Sequence, residues 1–343
     1  YGAEERGDVA HDPHQEFTGK NILYHARTLE ETAARYGREV EDVRKAISEA
    51  ARTLFEVRSR RVRPHLDDKI LTGWNGLMIS AFALGGAVLR EPAYVEAARR
   101  AAEFVVARMY NPESGILLRR YREGDAAIPG FLDDYALFTQ ALLDLYETQF
   151  DRRHLDLAIR LAEKQRELFE DEQQGGFFSS AESDASLVLR VKEDYDGAEP
   201  SGNSITALNL LRLAQIAGRA DFRQSAERLF AAFGSRLSTV PMAIPQMLVA
   251  YECLLSEPRQ VVIAGAKGAS DTGKLLETVF SHFLPNHAVL LLDSEETRQA
   301  LAVGAPALAA MKPMDGRATA YVCRNYACQL PVSDADRLAE LLQ

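Results

Sequence analysis

Cysteine is scarce in this sequence, three residues in 343. Three thiols cannot build a disulfide framework, and their rarity suits a reducing compartment, so a cytoplasmic location is expected. Positive charge is in deficit as well: Lys and Arg number 40 against 50 Asp and Glu, for a net charge of -10. A polyanion needs clustered positive charge, so this balance argues against nucleic acid and anionic membrane as main partners. No basic-then-apolar leader follows Tyr1. Long uncharged runs are rare. Ile70 to Leu89 is the exception, and Thr72, Gly73, Trp74, Asn75, Gly76 and Ser80 interrupt it. About 16 helical residues remain beyond Gly73, short of the roughly 20 a bilayer needs, so a buried core helix is expected there.

What the sequence has in quantity is helix signal. Helices are expected over Glu39–Arg60, Trp74–Leu89, Ala93–Met109, Leu132–Phe150, His154–Phe169, Ser204–Ala217, Phe222–Arg236 and Ile244–Leu255. Pro92 is a good first-turn residue for the third, and Gly218 a good terminator for the sixth. Four of them, starting at Trp74, Leu132, Ser204 and Ile244, carry few charges and alternate with amphipathic ones. A helix apolar all round is buried and an amphipathic one covers it, so the alternation describes an inner layer wrapped by an outer layer. Links from inner to outer helices are short; the returning links are long, with strand-like pieces at Gly115–Leu118 and Gly175–Phe178. The expected fold is mainly α, a ring of helical hairpins of the α/α toroid type. After Pro258, apolar runs at Val261–Ile263, Ala288–Leu292 and Ala318–Val322 alternate with helices, which predicts a small C-terminal α/β unit with parallel strands. The expected division is an N-terminal extension over 1–27, a toroid segment over 28–256 and an α/β tail over 257–343.

The unusual local sequences all precede inner helices. They are Arg63-Pro64-His65-Leu66-Asp67-Asp68-Lys69 with Thr72-Gly73-Trp74-Asn75-Gly76, then Gly130-Phe131-Leu132-Asp133-Asp134-Tyr135-Ala136, then Asp196-Gly197-Ala198-Glu199-Pro200-Ser201-Gly202-Asn203-Ser204. In a hairpin ring the inner helices run parallel, so these three loops converge on one mouth. Asp133 and Asp134 are the candidate catalytic pair. Two close carboxylates in a partly dry pocket push their pKa values apart, giving one acid and one base. His65, Asp67, Asp68, Asn75, Tyr135, Glu199, Ser201 and Asn203 are candidates to line the mouth, and Trp74 to stack on a sugar face. Each has a plainer reading beside it. Asp133-Asp134 can cap a helix start, Asp68 and Lys69 can form a solvated pair, Ser201 or Asn203 can cap the Ser204 helix, and Trp74 can be core.

These three clusters, with Cys323-Arg324-Asn325-Tyr326-Ala327-Cys328-Gln329, resemble the spermatogenesis-associated protein 20 family, whose bacterial members are called thioredoxin-domain-containing proteins. The resemblance covers essentially the whole chain. It implies a fold similar to six-hairpin glycosidases and N-acylglucosamine 2-epimerases. It also implies an N-terminal thioredoxin-like domain and further ring helices in full-length members, for which this sequence has no counterpart. About eight ring helices can be counted, against twelve in a closed six-hairpin ring. With Tyr1 in place of Met, the expectation is a C-terminal piece that exposes apolar inner-helix faces and works with the absent part in cis or in trans.

Two further signals are set aside. Gly268-Ala269-Ser270-Asp271-Thr272-Gly273-Lys274-Leu275 nearly spells a phosphate-binding loop, but Leu275 replaces the Mg²⁺-binding hydroxyl and Asp271 puts negative charge in the cradle. Cys323 and Cys328 would face opposite sides of a regular strand and are expected to be buried thiols, with Cys253 in the core. Zinc would need two more ligands, which His282 and His287 could supply only in principle. No metal and no cofactor is expected. An epimerase-like pair of His is not evident, because only His65 of the seven His lies in a cluster. The functional expectation is a sugar-active hydrolase or isomerase using carboxylate acid/base chemistry on a small sugar-like ligand. The rival is a non-catalytic scaffold serving a thioredoxin-like domain or partner.

Overall fold

The computed structural model describes residues 1–182, 188–325 and 327–343, so Tyr326 of the last motif lies outside the described residues. The contacts gather into two compact units, Tyr1–Asp67 and Asp68–Gln343. The helical and α/β regions share the second unit.

The first unit holds α1 (Leu29–Tyr36) and α2 (Val40–Ser59). Thr28 and Glu31 form a capping box at the start of α1, and Gly37 ends it in the left-handed region. The helix expected at Glu39–Arg60 is α2, but it belongs to this unit rather than to the ring, and Val43 is its buried residue.

The second unit begins with β1 (Ile70–Leu71) and the hairpin α3 (Thr72–Leu89) and α4 (Pro92–Met109). After β2 (Leu118–Arg122) and β3 (Asp125–Pro129) come α5 (Leu132–Gln149) and α6 (Arg152–Phe169), then α7 (Gly202–Ala217), α8 (Ala220–Thr239) and α9 (Pro245–Leu255). Helices α3, α5, α7 and α9 are successive neighbours, while α4, α6 and α8 each pack on the inner helix before them. The architecture is therefore mainly α and of the α/α toroid type, as the alternation of helix types predicts. The first three inner helices stop on left-handed residues, Arg90, Phe150 and Gly218 in turn, and the outer helix starts at once. The returning loops repeat one another. Tyr110 bridges Leu117 and Glu170 bridges Phe177; Gly115 and Gly175, at φ 73° and 75°, donate back to Asn111 and Asp171. Among the described residues, regular strands follow only the first of these turns, where β2 and β3 pair through Glu123-Gly124 in left-handed conformation.

Helix α5 is buried on nearly every side. Helix α3 departs from expectation. It is long and apolar enough to cross a membrane, yet it buries only the face of Thr72, Gly73, Gly76, Ile79, Ser80, Ala83 and Gly86. The physical reason is small residues: a Cβ on Gly76 would fall on the Leu137 carbonyl, so α3 and α5 meet backbone to backbone. Trp74, Met78, Leu84 and Val88 on its remaining surface are exposed.

The tail comprises β4 (Arg259–Ala264), α10 (Ser270–Phe280), β5 (His287–Leu292), α11 (Glu295–Ala302), β6 (Thr319–Arg324), β7 (Ala327–Cys328) and α12 (Ala335–Leu342). Its sheet has the order β5-β4-β6-β7. Only β4 and β5 are parallel; β6 and β7 are antiparallel additions, which corrects the all-parallel expectation. Alternate residues face opposite ways: Val262 and Leu290 join the helical core, whereas Val261 and Leu291 pack with α10 and α12. Asp271 accepts from the backbone of Thr272 and Ala318, so the loop that resembles a phosphate cradle is a strand-to-helix junction.

The cysteines also differ from expectation. Cys323 and Cys328 form a disulfide. The chain reverses at Asn325, whose φ is 48°, and sets the two residues opposite each other on β6 and β7. The Gln329 N–H donates to the Val322 carbonyl just beyond them, which makes them a non-hydrogen-bonded pair, the kind with the closer side chains. Treating 323–328 as one regular strand missed this turn.

Candidate functional site

The N-terminal ends of the inner helices converge, and carboxylates tie them together. Asp134, in the first turn of α5 and only 2% exposed, has both oxygens engaged. Oδ1 accepts from the Gly73 N–H of α3 at 3.1 Å. Oδ2 accepts from the Phe131 N–H at 3.0 Å and from the Arg119 guanidinium at 3.0 Å. Arg119 comes from β2 and lies over the Phe131 ring at 5.0 Å. Burial pushes the Asp134 carboxyl up, and Arg119 opposes the shift.

Asp133, beside it, points the other way round α5. It accepts the backbone N–H of Gly202, the first residue of α7. A Cβ at Gly202 would fall on the Asp133 carboxylate, so only glycine lets α7 start this close to α5. Burial, reinforced by the charges of Asp134 and Glu193, pushes the Asp133 carboxyl up to about 6. Asp196 repeats the device one helix further on. It accepts from Ser201 N at 2.8 Å, ahead of α7, and from Gln246 N at 2.8 Å and Met247 N at 3.3 Å, in the first turn of α9. Three carboxylates thus link α3 to α5, α5 to α7 and α7 to α9.

The other expected residues divide sharply. Trp74 is 59% exposed on the first turn of α3, and Asn75 donates to the Leu71 carbonyl at 2.8 Å. Asp68 pairs with Arg122 at 2.7 Å. Glu199 is exposed in the loop before α7. Ser201 caps α7, its Oγ accepting from Ser204 N at 3.2 Å. Tyr135 is 0% exposed and its hydroxyl accepts from Leu117 N at 2.8 Å, so it is core. Asn203, also 0% exposed, uses its whole amide: Oδ1 accepts from Phe177 N at 2.9 Å, and Nδ2 donates to the carbonyls of Phe177 and Glu193 at 2.9 and 2.8 Å. His65 and Asp67 are exposed residues of the first unit.

Sequence reasoning missed Arg119 and Glu193 as partners of the mouth, and gave Asp196, at the head of the third loop, no role of its own. The basic run Arg119-Arg120-Tyr121-Arg122 was a visible signal, but its strand placed Arg119 against a residue 15 positions away. Among the described residues, no group of three or more His, Cys, Asp or Glu could hold a metal ion.

No protein-family model matches the chain. The chain is 40% identical over 353 aligned residues to human spermatogenesis-associated protein 20, covering 100% of this chain and 45% of that protein. The mouse protein of the same name is also 40% identical, with the same coverage. An uncharacterised Caenorhabditis elegans protein is 33% identical, covering 99% of this chain and 47% of its own length. The chain therefore spans a little under half the length of these relatives. Among solved structures, cellobiose 2-epimerase from Bacillus thermoamylovorans matches with a TM-score of 0.44 at 12% identity, covering 78% of this chain and 68% of that one. D-mannose isomerase gives 0.43 at 14%, covering 55% and 56%. An inactive variant of a Salegentibacter α-1,6-mannanase, in complex with α-1,6-mannotriose, gives 0.42 at 14%, covering 74% and 66%. The resemblance carried by the sequence motifs holds along the whole chain, which is homologous throughout to spermatogenesis-associated protein 20.

Proposed function

We propose that the mouth is the site of an acid/base enzyme, a hydrolase or an isomerase acting on a neutral sugar-like molecule, with Asp133 as the proton-transferring group. The observation that carries this reading is the unequal treatment of two adjacent carboxylates. Asp134 is held by three donors and cannot move, which makes it a positioning residue. Asp133 keeps a carboxyl near 6, suited to both giving and taking a proton close to neutral pH. Exposed Trp74, on the first turn of α3, supplies an aromatic face of the kind on which a sugar ring stacks. The reading needs no cofactor and suits a cytoplasmic protein.

The test is the full-length protein against a carbohydrate panel. Asp133→Asn is expected to lower turnover by about 10²-fold or more without lowering the thermal midpoint. Full activity in that variant would exclude the assignment. Asp134→Asn is expected to lose stability together with activity, because the amide cannot accept from all three donors without turning an N–H toward one of them.

One observation favours the scaffold reading: Ser201, Asn203, Tyr135, Asp68 and Asp134 all spend their polar atoms on the fold itself. Under that reading the mouth is a rigid platform for an attached thioredoxin-like domain, and no carbohydrate on the panel is turned over.

A further inference from the structure

All three cysteines of the chain line one cavity. It has a volume of about 340 Å³ and lies between the ends of α7 and α9 and the tail, with Cys253 contributed by α9 and Cys323 and Cys328 by the β6–β7 hairpin. Arg219, Pro258 and Met311 complete the parts of the wall that matter here. Two of the sulfurs are joined and the third, Cys253, is a free, partly buried thiol. Residues of one rare type, from two distant points of the sequence, meet at one cavity apart from the mouth.

The two ends of the disulfide are held very differently. Cys323 is 2% exposed on β6, which pairs with β4 along its full length. Cys328 is exposed on β7, two residues long and at the outer edge of the sheet. The Gln329 N–H to Val322 carbonyl bond and the Asn325 N–H to Pro258 carbonyl bond tether this hairpin. If the bond is attacked, Cys328 is the half free to move.

We propose that this cavity is a thiol–disulfide exchange site in which Cys253 takes Cys328 from Cys323. The Cys253 thiolate attacks Sγ of Cys328. A Cys253–Cys328 bond forms, the Cys323–Cys328 bond breaks, and the electron pair leaves on Cys323. The proton given up by Cys253 is recovered there, so the step needs no oxidant or reductant. It does need movement: Cys253 stands on α9 and Cys328 on the two-residue edge strand of the sheet, across one cavity, so β7 has to carry Cys328 toward α9. Burial pushes the Cys253 thiol up, which keeps it protonated and the exchange slow in the resting protein. The exchange converts a link within one hairpin into a link between the tail and α9, and so pins the sheet to the last inner helix.

The test is disulfide mapping of the full chain. Free thiols are blocked with N-ethylmaleimide, before and after incubation with a substoichiometric amount of dithiothreitol, and peptides are identified by mass spectrometry without reduction. The label is expected on Cys253 at the start, and on Cys323 with a Cys253–Cys328 cross-linked peptide afterwards. In the Cys323→Ser variant, oxidised glutathione should join Cys253 to Cys328 and release two equivalents of reduced glutathione. A label that stays on Cys253 with the Cys323–Cys328 peptide intact would overturn the proposal. So would reduction straight to three labelled thiols, or a Cys323→Ser chain that forms only mixed disulfides with glutathione.

Discussion

Helix α5 carries a pair of carboxylates at each end, and the two pairs are treated in opposite ways. Near its C-terminus, Asp144 and Glu147 enclose one buried guanidinium. Arg212 of α7 reaches Asp144 at 2.7 Å and also bonds Glu147, whose other oxygen accepts from Val289 N of β5 at 2.9 Å. Burial pushes the Glu147 carboxyl up, and Arg212 pulls against it. Here the cation is central and shared, and the cluster joins two helices to the sheet. At the N-terminus, the half-exposed Arg119 bonds Asp134, while Asp133 has the Gly202 N–H and only a more distant pull from Arg119. The same residue types are thus a closed structural bond at one end and an under-neutralised, adjustable group at the other. The difference lies in where the cation stands.

The comparison can be broken at the closed end first. Arg212→Met should cost about 3–5 kcal/mol, because it strands two buried carboxylates; urea unfolding of the full-length protein measures it. A loss below about 1 kcal/mol would mean that the cluster is solvated and the contrast illusory. Gly202→Ala comes next. Its methyl group would drive α7 off Asp133, with an expected loss of about 1–3 kcal/mol and a fall in the Asp133 pKa toward the ordinary range as water enters. The smallest effect has the opposite sign. The Asp133 carboxyl is higher folded than unfolded, so the folded state binds the extra proton between about pH 4 and 6, and stability falls as pH rises through that window. Asp133→Asn should therefore stabilise the protein at pH 7 by about 1 kcal/mol, after discounting for partial exposure, with the gain fading below pH 4. Equal stability of the two proteins across pH 4–7 would show that Asp133 is solvated and ordinary.

Much of this was legible in sequence because it is local. Helix type, the short inner-to-outer links and the doubled returning loops all follow from periodicity and from Pro, Gly and Asp at fixed places. The convergence of Gly73, Asp133 and Gly202 followed from topology alone. What could not be read is tertiary. Nothing in Thr72–Leu89 says that Gly76 faces a neighbour's backbone while Trp74 faces out. Nothing local assigns Arg119 to Asp134. The hairpin at Asn325 depends on one left-handed residue, and missing it turned a disulfide into two separate thiols. Tyr135 and Asn203 were rightly placed at the helix starts, but their full burial comes from the layers packed around them.

The chain of carboxylates across the inner helix ends has an electrostatic consequence. Each helix start carries about half a positive charge, and four such starts gathered together would form a trap for anions. Here Asp134, Asp133 and Asp196 have already claimed those N–H groups. A phosphorylated or carboxylated molecule arriving at the mouth would find these positive ends occupied. On the proposed function, the mouth would select against anionic ligands because its own carboxylates already occupy the helix ends.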